Sequence, residues 1–147
     1  MKSTLENAIK NSKEVKIEFN PTETTKQKII ECIERNIFYG IFPIVGDSME
    51  CEDKKKCIPD GSNVLAIDTN IKLSNGIENV WHEIPIGKTL LISGKTYTGK
   101  SFFMCKSIIS VDAVTGYVLL DSYNLKHGSK WIPFDWIEKI FEVVQIV

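Results

Sequence analysis

A chain of 147 residues with 43% hydrophobic and 25% charged content has the size and balance of one globular domain, able to bury a core without metal or disulfide staples, and is neither disordered nor fibrous. A formal net charge of -1 and a pI near 6.1 argue against general affinity for nucleic-acid backbones. No run approaches the roughly 18 to 20 apolar residues of a membrane span, and residues 1–16 are polar and lysine-rich without the apolar centre of a signal peptide, so the expectation is a cytoplasmic protein with no membrane contact.

Residues 1–14 read as a polar leader, and residues 15–19 alternate apolar and charged side chains as a short half-buried strand does. After Asn20-Pro21, the cluster Thr22-Glu23-Thr24-Thr25 caps a helix in which Ile29, Ile30, Ile33 and Ile37 recur at helical spacing, through Asn36. One helix and one strand do not make a helix-turn-helix, so residues 1–39 form an N-terminal extension with no direct DNA binding.

Residues 40–147 read as strands. The apolar run Ile41-Phe42-Pro43-Ile44-Val45 stops at Gly46-Asp47-Ser48-Met49, and a charged loop follows from Cys51 to Cys57. Ile58-Pro59-Asp60-Gly61 turns into a compact strand at 62–68. Residues 69–79 are polar and read as a surface loop, and 81–86 lead into another turn. Strands are expected at 88–93, 102–109 and 116–120, an edge or turn at 131–136, and a last β-rich run at 141–147. The fold class is mostly β and antiparallel, with a short N-terminal strand and one helix.

The four cysteines form no C-x-x-C pair and are read as free thiols of a reducing compartment. Cys51 and Cys57 with His82 and His127 match no common zinc spacing, so no metal and no cofactor is expected. Trp81-His82-Glu83 reads as one packed aromatic beside exposed polar neighbours, and Trp131 and Trp136 as core or dimer contacts rather than a ligand cage.

Ser48, held where a buried strand breaks off, is a candidate nucleophile, but a serine hydroxyl needs a base to take its proton. Lys106, inside Phe102-Phe103-Met104-Cys105-Lys106-Ser107-Ile108-Ile109, is the candidate base, because apolar surroundings disfavour its charged form and lower its pKa. Strand alternation alone leaves open a solvent-facing Lys106.

Val45-Gly46-Asp47-Ser48-Met49, then Ile58-Pro59-Asp60-Gly61-Ser62-Asn63-Val64-Leu65-Ala66-Ile67-Asp68, then Phe103-Met104-Cys105-Lys106-Ser107-Ile108, in that order, resemble the C-terminal peptidase domain of the LexA, UmuD and phage-repressor family. Leu119-Leu120-Asp121-Ser122-Tyr123-Asn124 resembles its later strand ending at Asn, and the likeness spans about residues 40–147. Position 62 carries Ser where the family usually has Asp, and position 107 Ser where it usually has Arg. The resemblance implies a LexA/signal-peptidase-like β-rich domain, a Ser-Lys dyad of Ser48 and Lys106, backbone N–H groups of Ser48 and Met49 as oxyanion donors, and a homodimer. The function expected is a serine/lysine peptidase or regulatory domain related to SOS-response and phage repressors, acting on a protein or peptide substrate. Self-cleaving relatives cut at Ala-Gly or Cys-Gly, and none of the nine glycines here follows Ala or Cys, so self-cleavage of this chain is not expected. The alternatives are a catalytically idle dimerisation or partner-binding module, and a phosphate-loop nucleotide-binding protein.

The last alternative comes from Gly94-Lys95-Thr96-Tyr97-Thr98-Gly99-Lys100-Ser101, which satisfies G-x-x-x-x-G-K-S. That chemistry requires the loop to open a helix, and the residues after Ser101 are β formers, so a hairpin between antiparallel strands is expected. The apolar ending, with Phe141, Val143 and Ile146, is the expected dimer contact.

Overall fold

The computed structural model describes residues 20–53 and 57–147. Helix α1 (Glu23–Arg35) precedes seven strands: β1 (Tyr39–Pro43), β2 (Asn63–Asp68), β3 (Thr89–Lys95), β4 (Ser101–Asp112), β5 (Tyr117–Asp121), β6 (Ser129–Pro133) and β7 (Ile137–Ile146). They form one antiparallel sheet in the order β1-β2-β7-β3-β4-β5-β6. The expected mostly β class is therefore the observed one. The strand expected at 15–19 lies outside the described residues.

α1 starts and stops where its caps dictate. Thr22 Oγ1 accepts the Thr25 N–H at 3.1 Å, and Asn36 takes the left-handed conformation (φ 59°) that closes the last turn. Its buried stripe is Thr25, Ile29 and Cys32, while Ile30, expected on the apolar face, is 44% exposed. Ile29 and Cys32 share a core cluster with Tyr39 and Leu65, so the helix assigned to an extension packs on the sheet it precedes.

The sheet buries both faces. Leu90, Ile92, Ile108, Leu120 and Ile140 line one face. Helix α2 (Ile77–Val80), which begins inside the stretch 69–79 read as a surface loop, and the turn after it cover them with Ile77, Val80 and Ile84, an i, i+3, i+7 pattern. On the other face, Val64, Ala66, Leu91, Cys105 and Phe141 are covered by Ile44, Met49 and Ile58. Burying one such side chain contributes roughly 1.5–3 kcal/mol. Ile44 and Met49 thus anchor the chain on both sides of Ser48.

One expectation needs correction. Cys51 and Cys57 are paired as a disulfide rather than free, because the loop reverses after Met49, whose carbonyl accepts the Ile58 N–H at 2.8 Å. Their Cα atoms then lie 5.4 Å apart, within bridging distance, and Cys32 and Cys105 are the free thiols. The cysteines thus cease to argue for a reducing compartment; no helix among the described residues is long and apolar enough to cross a membrane. The apolar C-terminal run is an interior strand, since β7 pairs with β2 and β3; Phe141 is buried, whereas Ile146 is 39% exposed. Trp131 lies on β6 and is 48% exposed, and Trp136 packs against the larger core.

The G-x-x-x-x-G-K-S match lies in the β3–β4 hairpin, where Lys95 pairs with Ser101 and the Lys100 carbonyl accepts the Thr96 N–H at 3.0 Å. A strand follows Ser101, so no helix N-terminus faces a phosphate there. Titration with Mg-ATP or Mg-GTP is expected to give no binding heat at micromolar protein; micromolar affinity lost in Lys100→Ala would contradict the assignment.

Candidate active site

Ser48 sits in a loop whose backbone is tied at the carbonyls of Asp47, Ser48 and Met49. The Asp47 carbonyl accepts from Glu50 N at 3.0 Å and from Asn124 Nδ2 at 3.0 Å, that of Ser48 from Asn124 N at 2.8 Å, and that of Met49 from Ile58 N at 2.8 Å. The turn into the loop needs Gly46, whose φ of 98° suits glycine, and Asp60 Oδ1 accepts the Gly46 N–H at 2.8 Å. The N–H groups of Ser48 and Met49 donate to no acceptor among the described residues.

Asp47 anchors the same loop from outside. Its Oδ1 lies 2.7 Å from His127 Nε2, and that hydrogen bond holds the Asp47 carboxyl below the usual carboxylate range. Asn124 and His127 both follow β5, so the segment 122–127 acts as a clasp on the Ser48 loop.

Lys106 lies on β4 opposite Leu90, in step with Met104 and Ile108 on the face of the larger core. Met49 packs on the opposite face. Their two sides meet because β5 pairs with β4 only from Ser107 onward, leaving residues 101–106 with one unpaired edge among the described residues. A cleft of about 510 Å³ opens along that edge, lined by Ser48, Phe103, Met104, Cys105 and Lys106 with Ile44 and its neighbours. Ser48 and Lys106 therefore share one cavity.

They do not share a hydrogen bond. Lys106 Nζ donates to Ser122 Oγ at 2.7 Å, and no bond joins it to Ser48, contrary to the direct contact expected of a dyad. The reason is register: Ser107 pairs with Asp121, which makes Ser122 the cross-strand neighbour of Lys106. Ser122 is 3% exposed, whereas Lys106 is only partly buried. Burial lowers the Lys106 pKa below its ordinary 10.5, with the Cys105 thiolate and the Asp121 carboxylate acting the other way. Burial pushes the Cys105 thiol up to about 12, so near neutral pH that thiol is uncharged and only Asp121 opposes the lowering.

Sequence reasoning missed Ser122, His127 and the loop-pinning role of Asn124. The signals were their position after an apolar strand and, for Ser122 and Asn124, the resemblance of residues 119–124 to a family strand ending at Asn, since no spacing rule links them to a serine so far upstream. Trp81 and His82 lie on a 3-10 turn and do not line the cleft, and Trp81, expected to be packed, is 49% exposed. No group of three or more metal-ligating side chains occurs among the described residues.

No protein-family model matches this chain, and neither a curated protein nor a solved structure matches it.

Proposed function

We propose that the protein is a serine/lysine peptidase, with Ser48 as nucleophile and Lys106 as general base. The observation that carries this reading is that one cleft is lined by both Ser48 and a partly buried Lys106 of lowered pKa. The ordered resemblance to the LexA peptidase domain supports the same roles. A neutral lysine amine keeps two N–H donors and gains a lone pair, so Lys106 can remain bonded to Ser122 while accepting the Ser48 proton. Ser48 Oγ then attacks the scissile carbonyl carbon, and the Ser48 and Met49 N–H groups receive the oxyanion. Collapse breaks the C–N bond, the leaving amine takes the proton back from Lys106, and water hydrolyses the acyl-serine by the same base.

Because only neutral Lys106 is active, peptide hydrolysis is expected to rise with pH to a plateau, with a midpoint below 10.5. Ser122→Ala removes an acceptor that favours the ammonium, so it moves the midpoint to lower pH and reduces the plateau by about tenfold or more. A midpoint unmoved by Ser122→Ala contradicts this role. The linkage sign is consistent: the folding penalty for charged Lys106 is full below its folded pKa and is relieved as pH rises toward 10.5.

The second reading, an idle binding module, is favoured by the lysine being bonded to Ser122 rather than to Ser48. Peptide hydrolysis lost in Ser48→Ala decides for the enzyme. Purified protein kept at mildly alkaline pH is expected to hold its intact mass, whereas two fragments absent from Ser48→Ala would show self-cleavage.

A further inference from the structure

A second cavity, of about 310 Å³, begins where the Ser48 cleft ends, since Met104 and Lys106 line both. Its floor is apolar: Phe102, Met104, Leu120, Ile132 and Trp136. Its rim is basic, with Lys100 from the β3–β4 hairpin, Lys130 from β6 and His127 from the clasp. No carboxylate among the described residues lines it. His127 is committed to Asp47, but the Lys100 and Lys130 side chains are exposed and form no ion pair among the described residues. In a chain whose net charge is -1, two uncompensated cations over an apolar hollow are a local feature. The volume lies at the lower end of ligand pockets, about 300–1,000 Å³, and suits one large side chain.

We propose that this cavity binds an apolar side chain of the peptide substrate, with Lys100 and Lys130 binding an acidic residue next to it. The inference rests on the peptidase reading and adds a substrate class: acidic segments carrying a bulky apolar residue. Opposite charge at the rim raises encounter rate and fixes register, while the hollow removes apolar surface from water. Attraction at an exposed rim weakens with salt.

The test uses full-length Ser48→Ala, which cannot turn peptides over, and three fluorescent heptapeptides with a central Leu flanked by Glu, Gln or Lys. Anisotropy titration at low salt is expected to show the Glu peptide binding at least tenfold tighter than the other two, with the advantage shrinking at 0.5 M salt. The advantage is expected to vanish in Lys100→Gln/Lys130→Gln, to reverse in Lys100→Glu/Lys130→Glu, and to survive Lys72→Glu, a lysine outside the cavity. Equal binding of the three peptides, or a preference untouched by the double variants, overturns the proposal. Wild-type protein separates this from the peptidase reading: cleavage of Glu and Gln peptides at equal rates removes the acidic subsite and leaves the peptidase, whereas acid-selective binding without any cleavage keeps the subsite and removes the peptidase.

Discussion

Lys106→Met is expected to reduce peptide hydrolysis on the order of 10³-fold or more while leaving the fold intact, because methionine keeps the apolar stem and removes only the group that accepts a proton. Two effects on stability oppose one another. The variant relieves the desolvation of a partly buried ammonium, and it strands the buried Ser122 hydroxyl, which loses its 2.7 Å donor. The melting temperature is therefore expected to stay within a few degrees of wild type, by calorimetry, while hydrolysis is lost. A variant that melts far lower, or that still cleaves peptides at the wild-type rate, contradicts the assignment. Lys106→Arg separates charge from basicity: guanidinium retains the positive charge but does not deprotonate, so it too is expected to be inactive.

Gly94→Ala is expected to destabilise the protein by about 3 kcal/mol or more, although glycine here lies in a strand and not in a turn. A Cβ at this position would overlap the Trp136 carbonyl oxygen and crowd its carbonyl carbon and the Phe102 ring. Two of those atoms are backbone and cannot rotate away. The close approach coincides with the register shift between Ser93 and Gly94 where β3 meets β7, and glycine in a strand commonly marks such a place. For a chain of this length the loss corresponds to a fall in melting temperature of roughly 6–12 °C. An unchanged melting temperature would mean that β3 and the Trp136 turn do not pack as described. Gly99→Ala provides the contrast, because no atom lies within 4 Å of the added Cβ and only its φ of 84° is strained, so its effect is expected to be smaller. The pair also separates two meanings of one motif. In this chain the first glycine of G-x-x-x-x-G-K-S permits backbone packing, and the second permits a hairpin turn.

The elements legible in the sequence were those whose signals are local. Thr22 and Asn36 mark the ends of α1 through cap chemistry, and the β formers after Ser101 rule out a phosphate-loop helix. The break at Gly46 and the turn at Asp60-Gly61 were also visible, but not that Asp60 grips Gly46, which requires two turns to meet in space. What stayed hidden was set by pairing between distant strands. Nothing near Lys106 reveals that Ser122 lies across from it, because the β4–β5 register decides that and a one-residue slip would place another residue there. The clasp of Asn124 and His127 on the Ser48 loop is long-range in the same way. The covering role of Ile77, Val80 and Ile84 was readable as spacing, but polar and Asn/Gly-rich neighbours masked it. The place of the apolar ending in the sheet was not legible for a physical reason: an interior strand and an edge strand can share one composition, and only the two partners of β7 show which it is.

The central claim, that Lys106 activates Ser48 within one cleft, is tested most directly by covalent capture. Wild-type protein is incubated at pH 9 with a fluorophosphonate, which forms a phosphorus–oxygen bond to an activated serine and releases fluoride, and the adduct is located by intact and peptide mass spectrometry. One adduct per chain is expected, on Ser48, absent from Ser48→Ala and slowed on the order of 10³-fold in Lys106→Met. No adduct on wild-type Ser48, or one that forms equally fast in Lys106→Met, would contradict it.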